Sequence, residues 1–152
     1  MIQRKQTLYL AISVILAVIC LCFPIGYFIS EDMLPDHALY NLWQTTTEGT
    51  HDFSTGTLFA LLLVTCPITI TAIFMYNNRK RQRQLCLINM LCIIIWYTLY
   101  IYTGFVADNG DNTQFRITVF AAFPAISFIL NIMARKAILD DEKLIKSIDR
   151  IR

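Results

Sequence analysis

Four stretches of this chain, 7–28, 55–76, 85–106 and 117–133, contain no Asp, Glu, Lys, Arg or His. Each is 17 to 22 residues long, close to the length a helix rising about 1.5 Å per residue needs to cross about 30 Å of hydrocarbon. The apolar character is continuous within each window rather than confined to one face, which separates these segments from the helices of a soluble amphipathic bundle. Only 16% of the 152 residues are charged, against roughly 25% in soluble domains. One small core cannot hide that much apolar surface. The sequence predicts an all-α membrane protein of one domain, 1–152, with four transmembrane helices at about 7–28, 55–76, 85–106 and 115–133.

Charge orders the connections. Twelve of the thirteen Lys and Arg fall in three segments: Arg4 and Lys5; Arg79, Lys80, Arg81 and Arg83; and Arg135, Lys136, Lys143, Lys146, Arg150 and Arg152. The two alternate connections carry Glu31, Asp32, Asp36, Glu48 and Asp52, then Asp108 and Asp111, with no Lys or Arg. Short loops rich in Lys and Arg stay cytoplasmic. Both termini and the inner turn 77–84 are therefore expected inside, with outer loops at 29–54 and 107–114. A basic element eight residues long and pinned between two spans cannot present a groove-reading helix, so nucleic acid is not an expected partner. Anionic headgroups are, since they attract juxtamembrane Lys and Arg by about 1 kcal/mol each. The first window lacks a small-x-small cleavage pattern and reads as a retained anchor.

Along the chain, Pro24 lies near the outer end of the first span. The outer loop holds Leu39, Tyr40, Leu42 and Trp43 and is expected against the membrane surface, either as a short helix after Pro35 or as a strand pair turning at Glu48-Gly49, the Thr run favouring strand. Pro67 and Pro124 sit near the middle of the second and fourth spans and should kink both, with Thr65, Thr69, Thr71 and Ser127 as donors for the carbonyls they free. Asn89 lies about one turn inside the third span and Asn131 about one turn from the inner end of the fourth. An amide pair there predicts that these two helices pack together. The tail 134–152 reads as a cytoplasmic amphipathic helix, with Ile138, Leu144, Ile145, Ile148 and Ile151 on one side.

Catalytic and metal chemistry finds little to stand on. No Asp, Glu, Lys, Arg or His lies deep within a span, Arg116 sitting at the outer end of the fourth where it can reach headgroups, which argues against proton coupling but leaves a passive pore open. Asp36, His37, His51 and Asp52 share the outer loop with Glu31, Asp32 and Glu48, the inventory of a divalent-cation site, yet the spacing matches no metal motif. Cys20, Cys22, Cys66, Cys86 and Cys92 all fall inside predicted spans, so no disulfide framework is implied. Glycine-rich phosphate loops, Ser-His-Asp sets and paired catalytic carboxylates do not appear, and neither an enzyme nor a cofactor is expected.

Three pieces, MIQRKQTLYL, NRKRQRQLCLINML and ARKAILDDEKLIKSIDRIR, give the chain a resemblance to the bacterial membrane proteins grouped as domain of unknown function 4293. The resemblance implies a four-span protein of the bacterial inner membrane and implies no activity. All three pieces fall on the side that the charge pattern makes cytoplasmic. Together they suggest a docking surface of Arg4, Lys5, Arg79, Lys80, Arg81, Arg83, Arg135 and Lys136 for an unidentified cytoplasmic or membrane protein or for anionic lipid. An accessory or scaffold protein is the expectation. A small passive transporter or channel subunit is the alternative.

Overall fold

The computed structural model describes residues 5–29, 35–45, 50–75, 78–105 and 114–149, with side chains described at all of these but 35, 36 and 144–149. Its helices are α1 (Lys5–Cys22), α2 (Gly56–Phe74), α3 (Arg79–Phe105) and α4 (Phe123–Asp149). Four helical segments are long and apolar enough to cross a membrane, the last counted from Val119 to Lys143. Each helix packs against two neighbours, α1 against α2 and α4, and α3 against α2 and α4, closing a ring.

The buried faces keep a regular rhythm. In α1 they are Gln6, Leu10, Ser13, Ala17 and Cys20; in α3 they include Gln82, Cys86, Asn89, Ile93, Trp96 and Tyr100. Steps of four and three residues are those of helices packed at shallow angles with interlocking side chains. Leu8, Ile12, Ile15, Leu63, Val64, Leu91 and Ile95 point outward instead. This is an inside-out distribution by the standard of a soluble bundle. It suits a hydrocarbon solvent, where small and polar residues favour close helix contact and the bulkiest apolar groups can face lipid.

The protein is not wholly helical. Strands β1 (Gly26–Ile29), β2 (Pro35–Leu39), β3 (Gln44–Thr45), β4 (His51–Asp52) and β5 (Gln114–Ile117) form one antiparallel sheet in the order β4-β3-β2-β1-β5. Its register sets Gly26 opposite Leu39 and Ile117, and Phe28 opposite His37 and Phe115. This corrects the all-α expectation and shortens the first span. Pro24 has no amide hydrogen and disfavours helical backbone at Phe23. The last helical bond is Phe23 N to Ile19 O, and Ile25 N donates to Leu39 O in the sheet at 2.8 Å. Gly-Tyr-Phe-Ile then follows its strand propensity.

The fourth span begins late for a related reason. The segment 115–118 lies in β5 and the link after it, a 3-10 turn covers Val119–Ala122, and Pro124 stands second in α4. In a first helical turn a proline removes no bond, so Pro124 starts this helix rather than kinking its middle. Pro67 does lie inside α2. The nearby hydroxyls of Thr65, Thr69 and Thr71 donate to the carbonyls of Leu62, Thr65 and Pro67, and not to Leu63, whose carbonyl the ring frees. The basic stretch also differs from expectation. Arg79 to Arg83 form the first turn and more of α3, because Arg, Lys and Gln are good helix formers and no Gly or Pro interrupts them. Just before it, Asn78 N donates to Met75 O, and Gln82 N donates to Asn78 O. The tail is not a separate helix: α4 runs unbroken from Phe123 to Asp149.

The sheet covers one end of the bundle. Ile25, Phe28 and Leu39 join Cys20, Leu58, Leu62, Trp96, Tyr100 and Ala121 in one buried cluster. Phe115 of β5 is the wedge between sheet and helices, with ring contacts to Phe28, Tyr100 and Phe105. It fits because two glycines face it: a Cβ on Gly26 or on Gly104 would come within 2.5 Å of the ring. Gly26→Ala and Gly104→Ala should each destabilise the protein by about 1–3 kcal/mol through overpacking. Phe115→Leu should recover part of the Gly104→Ala loss, as read by unfolding in detergent.

Candidate functional site

Two regions carry the polar side chains that a membrane-spanning bundle must account for: a buried seam inside the bundle, and the end opposite the sheet. At the seam all four helices contribute. Asn131 of α4 donates from Nδ2 to Ser13 Oγ of α1 at 3.0 Å and to Ser127 O at 2.8 Å. Its Oδ1 accepts from Asn89 Nδ2 of α3 at 3.2 Å. Asn89 Nδ2 also donates to Thr69 Oγ1 of α2 at 2.9 Å, and Thr69 passes its own proton to Thr65 O. The hydroxyls of Ser13 and Ser127 bond to each other. Asn131 is fully buried and Asn89, Ser13, Ser127, Thr65 and Thr69 nearly so.

The amide protons of both asparagines are thus used, and one acceptor, Asn89 Oδ1, stays without a partner. In hydrocarbon an unmet polar group costs several kcal/mol. A network that meets nearly all its members therefore favours one arrangement of the four helices over alternatives that would leave those groups open. Asn89 and Asn131, expected to meet, do meet; Ser13 and Thr69 were not foreseen as their partners. A signal for Ser13 existed in the step pattern of small and polar residues along α1.

A second buried amide was missed altogether. Asn41, in the turn between β2 and β3, is fully buried. Its Nδ2 donates to Cys20 O at 2.7 Å, and its Oδ1 accepts from Trp96 Nε1 at 3.1 Å. Cys20 O lies in the last turn of α1, where carbonyls have no partner within the helix. Asn41 thus caps α1 and ties it to α3. Tyr100 OH donates to Ile25 O and Tyr97 OH to Ala121 O, which completes the attachment of the sheet end.

At the opposite end, Lys5, Lys80, Arg81 and Lys136 are exposed, while Arg79, Arg83 and Arg135 are partly buried; Arg4 lies outside the described residues. Arg83 Nη1 meets Glu142 Oε2 at 3.5 Å, Gln6 Nε2 donates to Asp141 Oδ2, and Asp140 pairs with Lys143 at 3.9 Å. Arg79 Nη1 and Arg135 Nε are buried without a hydrogen-bond partner. The basic side chains of α1, α3 and α4 are gathered at one end of the bundle.

Among the described residues, those of the outer loop weighed for a metal form no ligand group. His37 stands on β2 and His51 on β4, where it meets the Trp43 ring. Glu31, Asp32 and Glu48 lie outside the described residues, as does the Asp36 side chain. No group of three His, Cys, Asp or Glu among the described residues is placed to hold a metal ion. All five cysteines are free.

Removing the polar contacts should have graded effects. Asn131→Ala should cost about 1–2 kcal/mol and Asn89→Ala somewhat less, with the double variant losing less than the sum. Asn41→Ala, which strands both the Cys20 carbonyl and the Trp96 indole, should cost about 1–3 kcal/mol. Unfolding by graded addition of a denaturing detergent reads all four.

No curated protein matches the chain. The sequence profile of the family described as "Domain of unknown function (DUF4293)" matches residues 2–151, and the chain belongs to that family.

Proposed function

We propose that the protein is a non-enzymatic accessory or scaffold protein of the bacterial inner membrane, with both termini in the cytoplasm and its basic end docking an anionic surface of a cytoplasmic partner. The observation that carries this reading is the gathering of Lys5, Lys80, Arg81 and Lys136, all exposed, with Arg79, Arg83 and Arg135 at one end of four membrane-capable helices. The rule that Lys and Arg remain on the cytoplasmic side supports the orientation. The polar seam supports a scaffold over the alternative of a passive pore. Its side chains bond to one another across the helices, and Trp96 and Tyr100 stack between the seam and the sheet.

Orientation and docking have separate tests. A phosphatase fused at Thr50, exposed before α2, should be active in intact cells and a C-terminal fusion inactive; the reverse pattern sinks the orientation. For docking, cross-linking in cells followed by mass spectrometry should identify one stoichiometric partner. The combined variant Arg79→Gln, Lys80→Gln and Arg81→Gln should reduce that cross-link at least about tenfold, at about 1 kcal/mol for each cation lost, without changing expression. An unchanged cross-link, or solute flux through the protein in liposomes, counts against the scaffold reading.

A further inference from the structure

The lipid-facing side of the α3–α4 contact holds an apolar groove of about 550 Å³, lined by Ile94, Thr98 and Ile101 of α3 and by Ala125, Phe128 and Ile129 of α4 among others. Helix geometry shows what lies at its basic end. Five turns of helix are about 18 residues, so Lys80 stands on the same side of α3 as Thr98, and Arg83 on the same side as Ile101. On α4, Arg135 and Lys136 follow Phe128 and Ile129 about two turns on. One seam between two helices therefore carries an apolar trough and, farther along the same faces, a group of cations.

Among the described residues, the cations at the end of this seam outnumber the carboxylates near them. The nearby acids are engaged: Glu142 with Arg83, Asp141 with Gln6 and Asp140 with Lys143. Arg79, Lys80, Arg135 and Lys136 have no carboxylate partner among the described residues. Arg79 and Arg135 each hold a guanidinium nitrogen out of solvent with no acceptor, an arrangement that a phosphate oxygen would relieve. The spacing also fits. Half of a hydrocarbon core of about 30 Å is about 15 Å, and the rise from Arg135 to Ala125 along α4 is about the same. A phosphate at Arg135 places its acyl chain in the trough.

We propose that the α3–α4 seam seats one anionic glycerophospholipid, with its phosphate on Arg79, Lys80, Arg135 and Lys136 and one acyl chain in the groove. This rests on the proposed orientation, which sets the basic end at the cytoplasmic headgroup layer, and adds a lipid site to that end. A soluble phosphate shares the headgroup chemistry but leaves the groove unused, so lipid is the favoured source.

The test is native mass spectrometry of the full chain in mild detergent, with phosphatidylglycerol and phosphatidylcholine of identical chains as probes. The wild type should prefer phosphatidylglycerol by at least about tenfold, and the Arg79→Gln, Lys80→Gln, Arg135→Gln, Lys136→Gln variant should bring the two lipids near parity. Ala125→Trp, which fills the groove from the membrane side, should weaken both lipids alike. Lys5→Gln with Arg81→Gln, cations off this seam, should leave the preference within about twofold. A preference that survives the four substitutions overturns the site, as does an equal loss in the off-seam pair or displacement of the lipid by inorganic phosphate. Lipid selectivity is read without any protein partner, so its failure is distinct from a failure of the cytoplasmic docking reading. Circular dichroism confirms that each variant keeps its helices.

Discussion

Helices immersed in hydrocarbon gain little by burying apolar side chains against one another, because the lipid tails they displace are equally apolar. What favours this bundle is the set of contacts lipid cannot supply. Side-chain bonds from Ser13, Ser127, Asn131, Asn89, Thr69 and Thr65 run through all four helices at one level. Around them the seam is built of small residues, such as Ala17 in α1, Ala72 in α2, Cys86 in α3 and Ala134 in α4, which let the backbones approach. The polar seam has geometric consequences for the rest of the molecule. It sets α3 and α4 in antiparallel register at Asn89 and Asn131, which in turn brings Arg83 to Glu142 at one end and Tyr97 to Ala121 at the other.

The two ends are built on different principles. The sheet end is closed by aromatic contacts and by side chains donating to backbone carbonyls, with ring contacts running from Trp96 through Tyr100 and Phe115 to Phe28 and Asn41 reaching from its turn to the end of α1. Water at a membrane boundary would otherwise compete for those carbonyls. The basic end is held by one partly buried ion pair, Arg83 with Glu142, and by the bond from Gln6 to Asp141. These join α1, α3 and α4, but among the described residues most of the cations there have no carboxylate partner. Cations in the first turn of α3 also oppose the helix dipole. Cations placed against the dipole and, among the described residues, without a carboxylate partner are open to an anion from outside the chain.

Much of this was legible in the sequence, and the parts that were not share a cause. Charge-free windows located the four helices, and the depth of Asn89 and Asn131 brought them together. The same windows misplaced two boundaries, because absence of charge marks depth in a membrane and not backbone conformation. Residues 24–28 and 117–122 are as uncharged as any span yet form strand and turn. Pro24 and Pro124 held the missing information. Read as boundary markers, Pro24 rather than as a proline tolerated near the end of a span and Pro124 rather than as a kink, they would have ended α1 early and started α4 late. Asn41 was invisible for another reason: its partners Cys20 and Trp96 are distant in sequence, and nothing local distinguishes a turn asparagine that faces water from one that caps a helix.

The placement of the polar groups bears on where this protein could act. A bundle whose central amides are nearly all paired resists rearrangement there, since sliding one helix past another would open several bonds in hydrocarbon at once. The sheet end resists for a similar reason, with β1 tied to both β2 and β5 and anchored below by Tyr100 on Ile25 O. The basic end has fewer internal commitments, and its Arg79 and Arg135 retain unmet donors. Binding energy from an anion would be gained there without breaking an existing bond, whereas a ligand at the seam would first have to displace one. That asymmetry favours recognition at the basic end even before the identity of the anion is considered.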